Sequence, residues 1–218
     1  MKQQPSPYVL SFLTLRKIIG IVGIAMPALL LLGTFTIGNC TQVQYSISHY
    51  YYTIMGDLFV GTLFAVAIFL LVYKGYDRYD NIATNIAGIF ALIIPLFATS
   101  NNPDTYCALR TLPEQTWRVA IHYTAAALFF CTLAYISLFL FTKSKGIKTG
   151  RKIIRNRVYM VCGIVMLVAL LMIILVKATP WFDCLLPYHP VFWFEWLALL
   201  AFGTSWLVKG EVMLVDKE

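Results

Sequence analysis

Apolar residues fall in six long runs along this chain, at about 18–37, 54–73, 82–99, 117–142, 158–176 and 191–208. Each is close to the roughly 20 residues that a helix needs to cross the hydrocarbon core of a bilayer. The first run follows Arg16 and Lys17 and is interrupted only by Pro27, which a membrane helix tolerates as a kink. It reads as a retained helix, because a cleaved signal has a shorter apolar region and a small-residue cleavage site. A lipoprotein signal is excluded as well, since Asn39 precedes Cys40 where a small residue is required. The second and third runs flank the polar segment Gly75-Tyr76-Asp77-Arg78-Tyr79-Asp80-Asn81 and form a helical hairpin. The other runs are bounded by charge, proline or both. The pattern predicts an all-α, polytopic transmembrane bundle of six helices, one domain over residues 1–218, with no internal repeat.

Composition supports this. Of 218 residues, 60% are hydrophobic and only 12% charged, and the mean hydropathy is +0.75. A soluble domain carries about a quarter charged residues. The net charge of +7 raises the question of nucleic acid, but the positive residues gather beside the spans on one side, as membrane orientation requires. Lys2, Arg16, Lys17, Lys74, Arg78, Lys209, Lys217 and seven residues of the segment between the fourth and fifth runs make 14 of the 17. Arg110, Arg118 and Lys177 lie opposite. The positive side is therefore expected to be cytoplasmic, with both termini and the loop between the fourth and fifth spans on it. Tyr50 to Tyr52, Trp117, Trp181, Trp193 and Trp196 are expected to form an aromatic belt at the outer interface. The expected partner is membrane lipid, with seven positive charges near anionic headgroups between spans four and five. No nucleic acid is expected, and the sequence leaves a homo-oligomer open.

Polar residues inside the spans cluster near the outer side. Asp57 lies one turn inside the second span, His122 one turn inside the fourth and four residues beyond Arg118, and Glu195 one turn inside the sixth. The i, i+4 spacing puts Arg118 and His122 on one helix face. His49, preceded by Ser46 and Ser48, lies on the approach to the second span, and Ser100, Asn101 and Asn102 follow the third. An ionised side chain at the centre of a span costs about 2.5–3.5 kcal/mol, so such residues face a bundle interior, a cavity or a partner. A kink at Pro95 would open space for a ligand near this polar group. The bland alternative is that these residues only pair to lock helices together.

Two nitrogens and two carboxylates also match the donor set that zinc or another divalent metal accepts. His49, His122 and Asp57 would then be ligands, although no HExxH or paired-cysteine motif is present. Cys131 and Cys162 lie within spans, as packing residues. Cys40, Cys107 and Cys184 lie in outer segments, where an oxidising compartment permits a disulfide. The sequence leaves the pairing open, although Cys40 with Cys107 would staple the first two outer loops together.

Tyr45-Ser46-Ile47-Ser48-His49-Tyr50-Tyr51-Tyr52-Thr53, Gly56-Asp57-Leu58-Phe59-Val60-Gly61, Lys74-Gly75-Tyr76-Asp77, His122-Tyr123 and the closing Phe202 to Glu211 segment resemble a family of uncharacterised bacterial six-span membrane proteins. The resemblance implies a multi-pass protein of the plasma (inner) membrane. In general plan the chain is also similar to the DRAM-like group of six-span proteins, some of which are linked to lipid remodelling. It departs from that group at His49-Tyr50-Tyr51, where an acidic residue and glycine are usual.

Three functional readings follow. In the first, an outer-leaflet polar pocket binds a lipid headgroup or small amphiphile, with Arg118 meeting an anionic group and Ser46, Ser48, His49, Asp57, His122 and Glu195 around it. The second is a metal-dependent intramembrane lipid hydrolase, in which His49, His122 and Asp57 hold the metal and Glu195 is the general base. The third is a proton or ion pathway through His122 and its neighbouring carboxylates.

Overall fold

A computed structural model describes residues 7–75, 77–100, 105–113, 115–143 and 150–214. It is all-helical. Helices α1 (Pro7–Thr36), α2 (Gly56–Val72), α3 (Arg78–Leu96), α4 (Thr116–Tyr135), α5 (Gly150–Ala178) and α6 (Pro190–Lys209) form the bundle. A π-helical turn, Ile136–Leu140, extends α4, and two 3-10 segments, Ile47–Tyr52 and Pro180–Tyr188, lie before α2 and α6. Each long helix packs on its neighbour in sequence, and α6 returns to pack on α1, so the six close into a ring. Five of them are long and apolar enough to cross a membrane. The exception is α2, whose 17 residues extend about 25 Å at 1.5 Å per residue.

Several boundaries differ from those read in the sequence, for physical reasons. The basic stretch Arg151–Arg157, assigned above to a loop, forms the first two turns of α5, because Arg and Lys are good helix formers and a helix continues past its apolar part. Likewise α3 begins at Arg78, before its apolar run, where Asp77 caps it by accepting from the backbone N–H groups of Tyr79 and Asp80. Lys143 donates to Asp77 at 2.8 Å and holds its carboxyl below the usual range. Asn101 and Asn102, which follow the third run, and the basic residues Lys2, Lys145, Lys148 and Lys217 lie outside the described residues.

A close backbone contact joins α1 and α6. A Cβ on Gly203 would lie 2.5 Å from the Gly20 carbonyl oxygen, and one on Gly20 would lie 2.8 Å from that of Gly203. Neither backbone could yield without parting the helices. This contact closes the ring, and small residues at such crossings are what membrane helices use to approach closely.

One end of the bundle is sealed by cations on aromatic rings. Arg16, buried, donates through Nε and Nη2 to Tyr73 Oη at 3.2 and 3.0 Å and lies over the Tyr73 ring. Tyr73 and Phe141 meet Trp206 edge to face, and Lys209 lies over Phe141. The described starts of α1, α3 and α5 share this end with the finishes of α2, α4 and α6.

The other end is closed by chain folded back into the ring. Ile47–Tyr52 forms a plug between α1, α2 and α6, with Ile47, His49, Tyr50 and Tyr52 buried. Tyr50 and Tyr52 are 0% and 1% exposed, which corrects their assignment to an interfacial belt: they are core. Trp117, Trp181 and Trp193 are exposed, as belt residues would be. Tyr52 Oη donates to the Thr99 carbonyl at 2.7 Å, the Gln44 side chain pairs with both backbone polar groups of Tyr106, and Cys40 is disulfide-bonded to Cys107. The connections between α1 and α2 and between α3 and α4 thus form one cross-linked cap.

Gly203→Val should part α1 from α6 and, like other overpacked contacts, cost about 1–3 kcal/mol. The expected outcome is a fall of several degrees in the melting temperature of detergent-purified protein, while Gly61→Val, at a position with nothing within 4 Å, should melt like the parent.

Candidate functional site

The plug is held by residues that sequence alone marked as candidate chemistry. Its first residue, Ile47, donates its backbone N–H to Glu195 Oε2 at 2.6 Å. A short helix begins with N–H groups that have no partner of their own, and here a side chain from α6 supplies one. Ser46, in the capping position, makes no cap bond. Its Oγ lies 2.7 Å from His49 Nδ1 instead.

His122 serves the opposite kind of terminus. Pro95 stands near the end of α3, and carbonyls in the last turn of a helix lack intrahelical donors. His122 Nδ1 lies 3.0 Å from the Ile94 carbonyl and 2.7 Å from that of Phe97. Its Nε2 lies 3.1 Å from Ser48 Oγ. The space expected beside Pro95 is thus occupied by the imidazole. Glu195, Ile47, Ser48 and His122 form one chain of bonds from α6 through the plug to α4 and the end of α3.

Two cavities meet at this network. A slot of about 270 Å³ runs between α4 and α5, walled by Ala126, Ala127, Phe130, Leu170, Ile173 and Ile174. Its polar end is made by Ser46, Ser48, His122, Tyr123, Lys177 and Glu195. Ala126 and Ala127, with their small side chains, leave this space. A wider vestibule of about 900 Å³ lies between the plug and Pro180–Tyr188 and is lined by Tyr45, Tyr106, Asp183 and His189, among others. Ser46, Lys177 and Ala178 border both cavities, and His49 lines the vestibule.

Of the residues singled out in the sequence, the structure brings Ser46, Ser48, His49, His122 and Glu195 together and leaves Asp57 and Arg118 apart. The Asp57 side chain is 90% exposed and pairs with Arg110 at 2.8 Å. It stands in the first turn of α2, where a negative charge suits the helix dipole. Arg118 borders only a small crevice beside Tyr52 and Thr99. The cation at the slot is Lys177, which sequence reading had counted only as an outer-side charge; it lies 3.9 Å from the centroid of the Tyr123 ring. A lysine ending the apolar stretch of α5 on the sparsely charged side was the available signal.

The metal expectation for His49, His122 and Asp57 is not met. Among the described residues, no group of three or more His, Cys, Asp or Glu could hold an ion, and Asp57 is turned to Arg110. A relay is equally unsupported in the other half of the bundle. There the hydroxyls of Thr84, Ser137 and Ser205 each donate to a backbone carbonyl.

His49 is buried, and desolvation, with Lys177 and His122 nearby, lowers its pKa from 6.5 to about 3. Its Nε2 meets no hydrogen-bond partner among the described residues. Comparison with family models, curated proteins and solved structures finds no match for this chain.

The histidine implies a pH dependence of definite sign. With the folded pKa below the unfolded one, the unfolded chain binds more protons between about pH 6.5 and 3, so stability falls as pH drops through that window. Melting temperatures recorded across it should decline more steeply for the parent than for His49→Gln; parallel curves would show that His49 does not carry the effect.

Proposed function

We propose that this protein is a six-span membrane protein that binds an amphiphile with an anionic headgroup, its chain in the slot between α4 and α5 and its head beside Lys177. The observation that carries this reading is the two-part lining of one cavity: an apolar wall at membrane depth ending in hydroxyls, an imidazole, a carboxylate and a lysine. The apolar wall confers fit rather than affinity, because a lipid chain leaves hydrocarbon of equal polarity to enter it. Affinity falls to the polar end, where a hydrogen bond to a charged group contributes about 1.5–3 kcal/mol. Lys177 is the cation available there.

In this reading α2 is the sixth span, and the plug that precedes it supplies the remaining depth. The end bearing Arg16, Lys143, Lys152 and Lys209 faces the cytoplasm, together with both termini and the segment between α4 and α5. The end bearing the disulfide and Lys177 faces an oxidising compartment, which supports the same orientation.

A diazirine-bearing phosphatidylglycerol should crosslink to peptides of α4 and α5 in the purified protein. Lys177→Ala should reduce that crosslinking about tenfold, the equivalent of 1.4 kcal/mol, and Ala127→Trp should block it by filling the slot. Equal crosslinking in parent and variants would refute the site. For orientation, a membrane-impermeant maleimide should label Cys184, exposed in the Pro180–Tyr188 segment, from outside intact cells. A cysteine introduced at Glu211 should react only after lysis.

A further inference from the structure

The polar end of the slot holds one pair of side chains that headgroup binding does not use. His122 Nδ1 faces two carbonyl oxygens, of Ile94 and Phe97. Both can only accept, so Nδ1 carries the proton. In the neutral ring the lone pair is then on Nε2, and Ser48 Oγ, 3.1 Å away, is its donor. Ser48 is positioned in turn by its neighbour Ile47, whose backbone N–H donates to Glu195 Oε2 at 2.6 Å. A hydroxyl on a base, with that base fixed in one tautomer by a third group, is the arrangement that activates a serine nucleophile.

Location distinguishes this pair from an ordinary helix tie. Ser48 and His122 both line the slot, where its apolar wall ends. An acyl chain lying along Ala126, Ala127 and Ile173 would deliver its ester carbonyl to that end. Lys177 lines the same end and offers positive charge for an oxyanion. The neighbouring pair of Ser46 and His49 is not equivalent, because nothing beyond their mutual bond fixes which imidazole nitrogen of His49 carries the proton.

We propose that Ser48 is a catalytic nucleophile that takes the acyl group from an ester-bearing amphiphile held in the slot, with His122 as its general base. The proposal rests on the amphiphile-binding reading and adds a reaction to it. Ser48 Oγ attacks the ester carbonyl carbon and its proton passes to His122 Nε2. The tetrahedral intermediate expels the alcohol of the ester, which takes that proton from Nε2, leaving an acyl ester on Ser48. Water then attacks the acyl carbon, again giving a proton to His122 Nε2. As the acid leaves, Ser48 Oγ recovers that proton, so one ester and one water become one acid and one alcohol.

The test uses the full chain in lipid nanodiscs with a long-chain alkyl fluorophosphonate, read by peptide mass spectrometry. The expected result is a phosphonyl adduct on Ser48, absent in Ser48→Ala and formed at least about 100-fold more slowly in His122→Gln, the contribution of a general base being about 10²–10⁴-fold. Ser48→Cys should be acylated instead by p-nitrophenyl decanoate, giving a thioester at that residue and about one equivalent of p-nitrophenol in a burst. The diazirine lipid is crosslinked to the same preparations. Crosslinking without an adduct in the parent, or adduct formation at an equal rate in His122→Gln, overturns the acylation and leaves binding intact. Loss of both in the parent overturns the binding reading and the acylation with it.

Discussion

A backbone group that enters hydrocarbon without a partner costs several kcal/mol, and the disulfide-bearing half of this protein is organised around avoiding that cost. Folding the Ile47–Tyr52 plug into the ring brings unpaired N–H groups to a depth where water is scarce. Ending α3 near Pro95 leaves unpaired carbonyls at a similar level. Glu195 answers the first and His122 the second. Because Ser48 joins the two, neither terminus can be repacked without disturbing the other. The disulfide and the pairing of Gln44 with Tyr106 hold the same cap from the solvent side.

The slot follows from that arrangement. On α4, His122 must lie deep enough to reach the end of α3, and the residues one and two turns further along the same face are Ala126 and Phe130. With alanine at 126 and 127, no side chain fills the gap toward α5. At the crossing of α1 and α6, by contrast, Gly20 and Gly203 let the backbones touch. Small residues therefore act in opposite ways in the two places: they close the helices up where both partners are glycine, and hold space open where the facing chains are Leu170, Ile173 and Ile174. At the other end of the bundle, Trp206, Phe141 and Tyr73 pack edge to face and cations cover them.

How much of this could be read in the sequence depended on the range of the interaction concerned. Hydropathy is local, so all six helices were legible, with boundary errors where helical turns extend beyond the assigned apolar run, as at Pro7–Lys17 and Arg151–Arg157. The polar level in the disulfide-bearing half was legible too, because Glu195 and His122 are costly wherever they stand in a span. Their partners were not legible, since backbone N–H groups and carbonyls leave no mark in a sequence. The same blindness grouped Asp57 with His122, although Arg110, brought near by the folded connection between α3 and α4, draws Asp57 away. It also hid the plug, where three consecutive tyrosines suggest an interface until the chain is seen to turn inward.

The network also determines which chemistry its residues can perform. A metal site needs several lone pairs converging on one point, but Glu195 directs its carboxylate to the start of the plug and Asp57 is engaged elsewhere. A proton path needs groups that can both give and receive in sequence, and the Ile94 and Phe97 carbonyls only receive. Those same two carbonyls make Nε2 of His122 a single, directed acceptor, and a single directed acceptor beside a hydroxyl is what a nucleophile requires. The bonds that satisfy the buried backbone thus leave one basic nitrogen with a defined role, at the point where an apolar slot reaches polar ground.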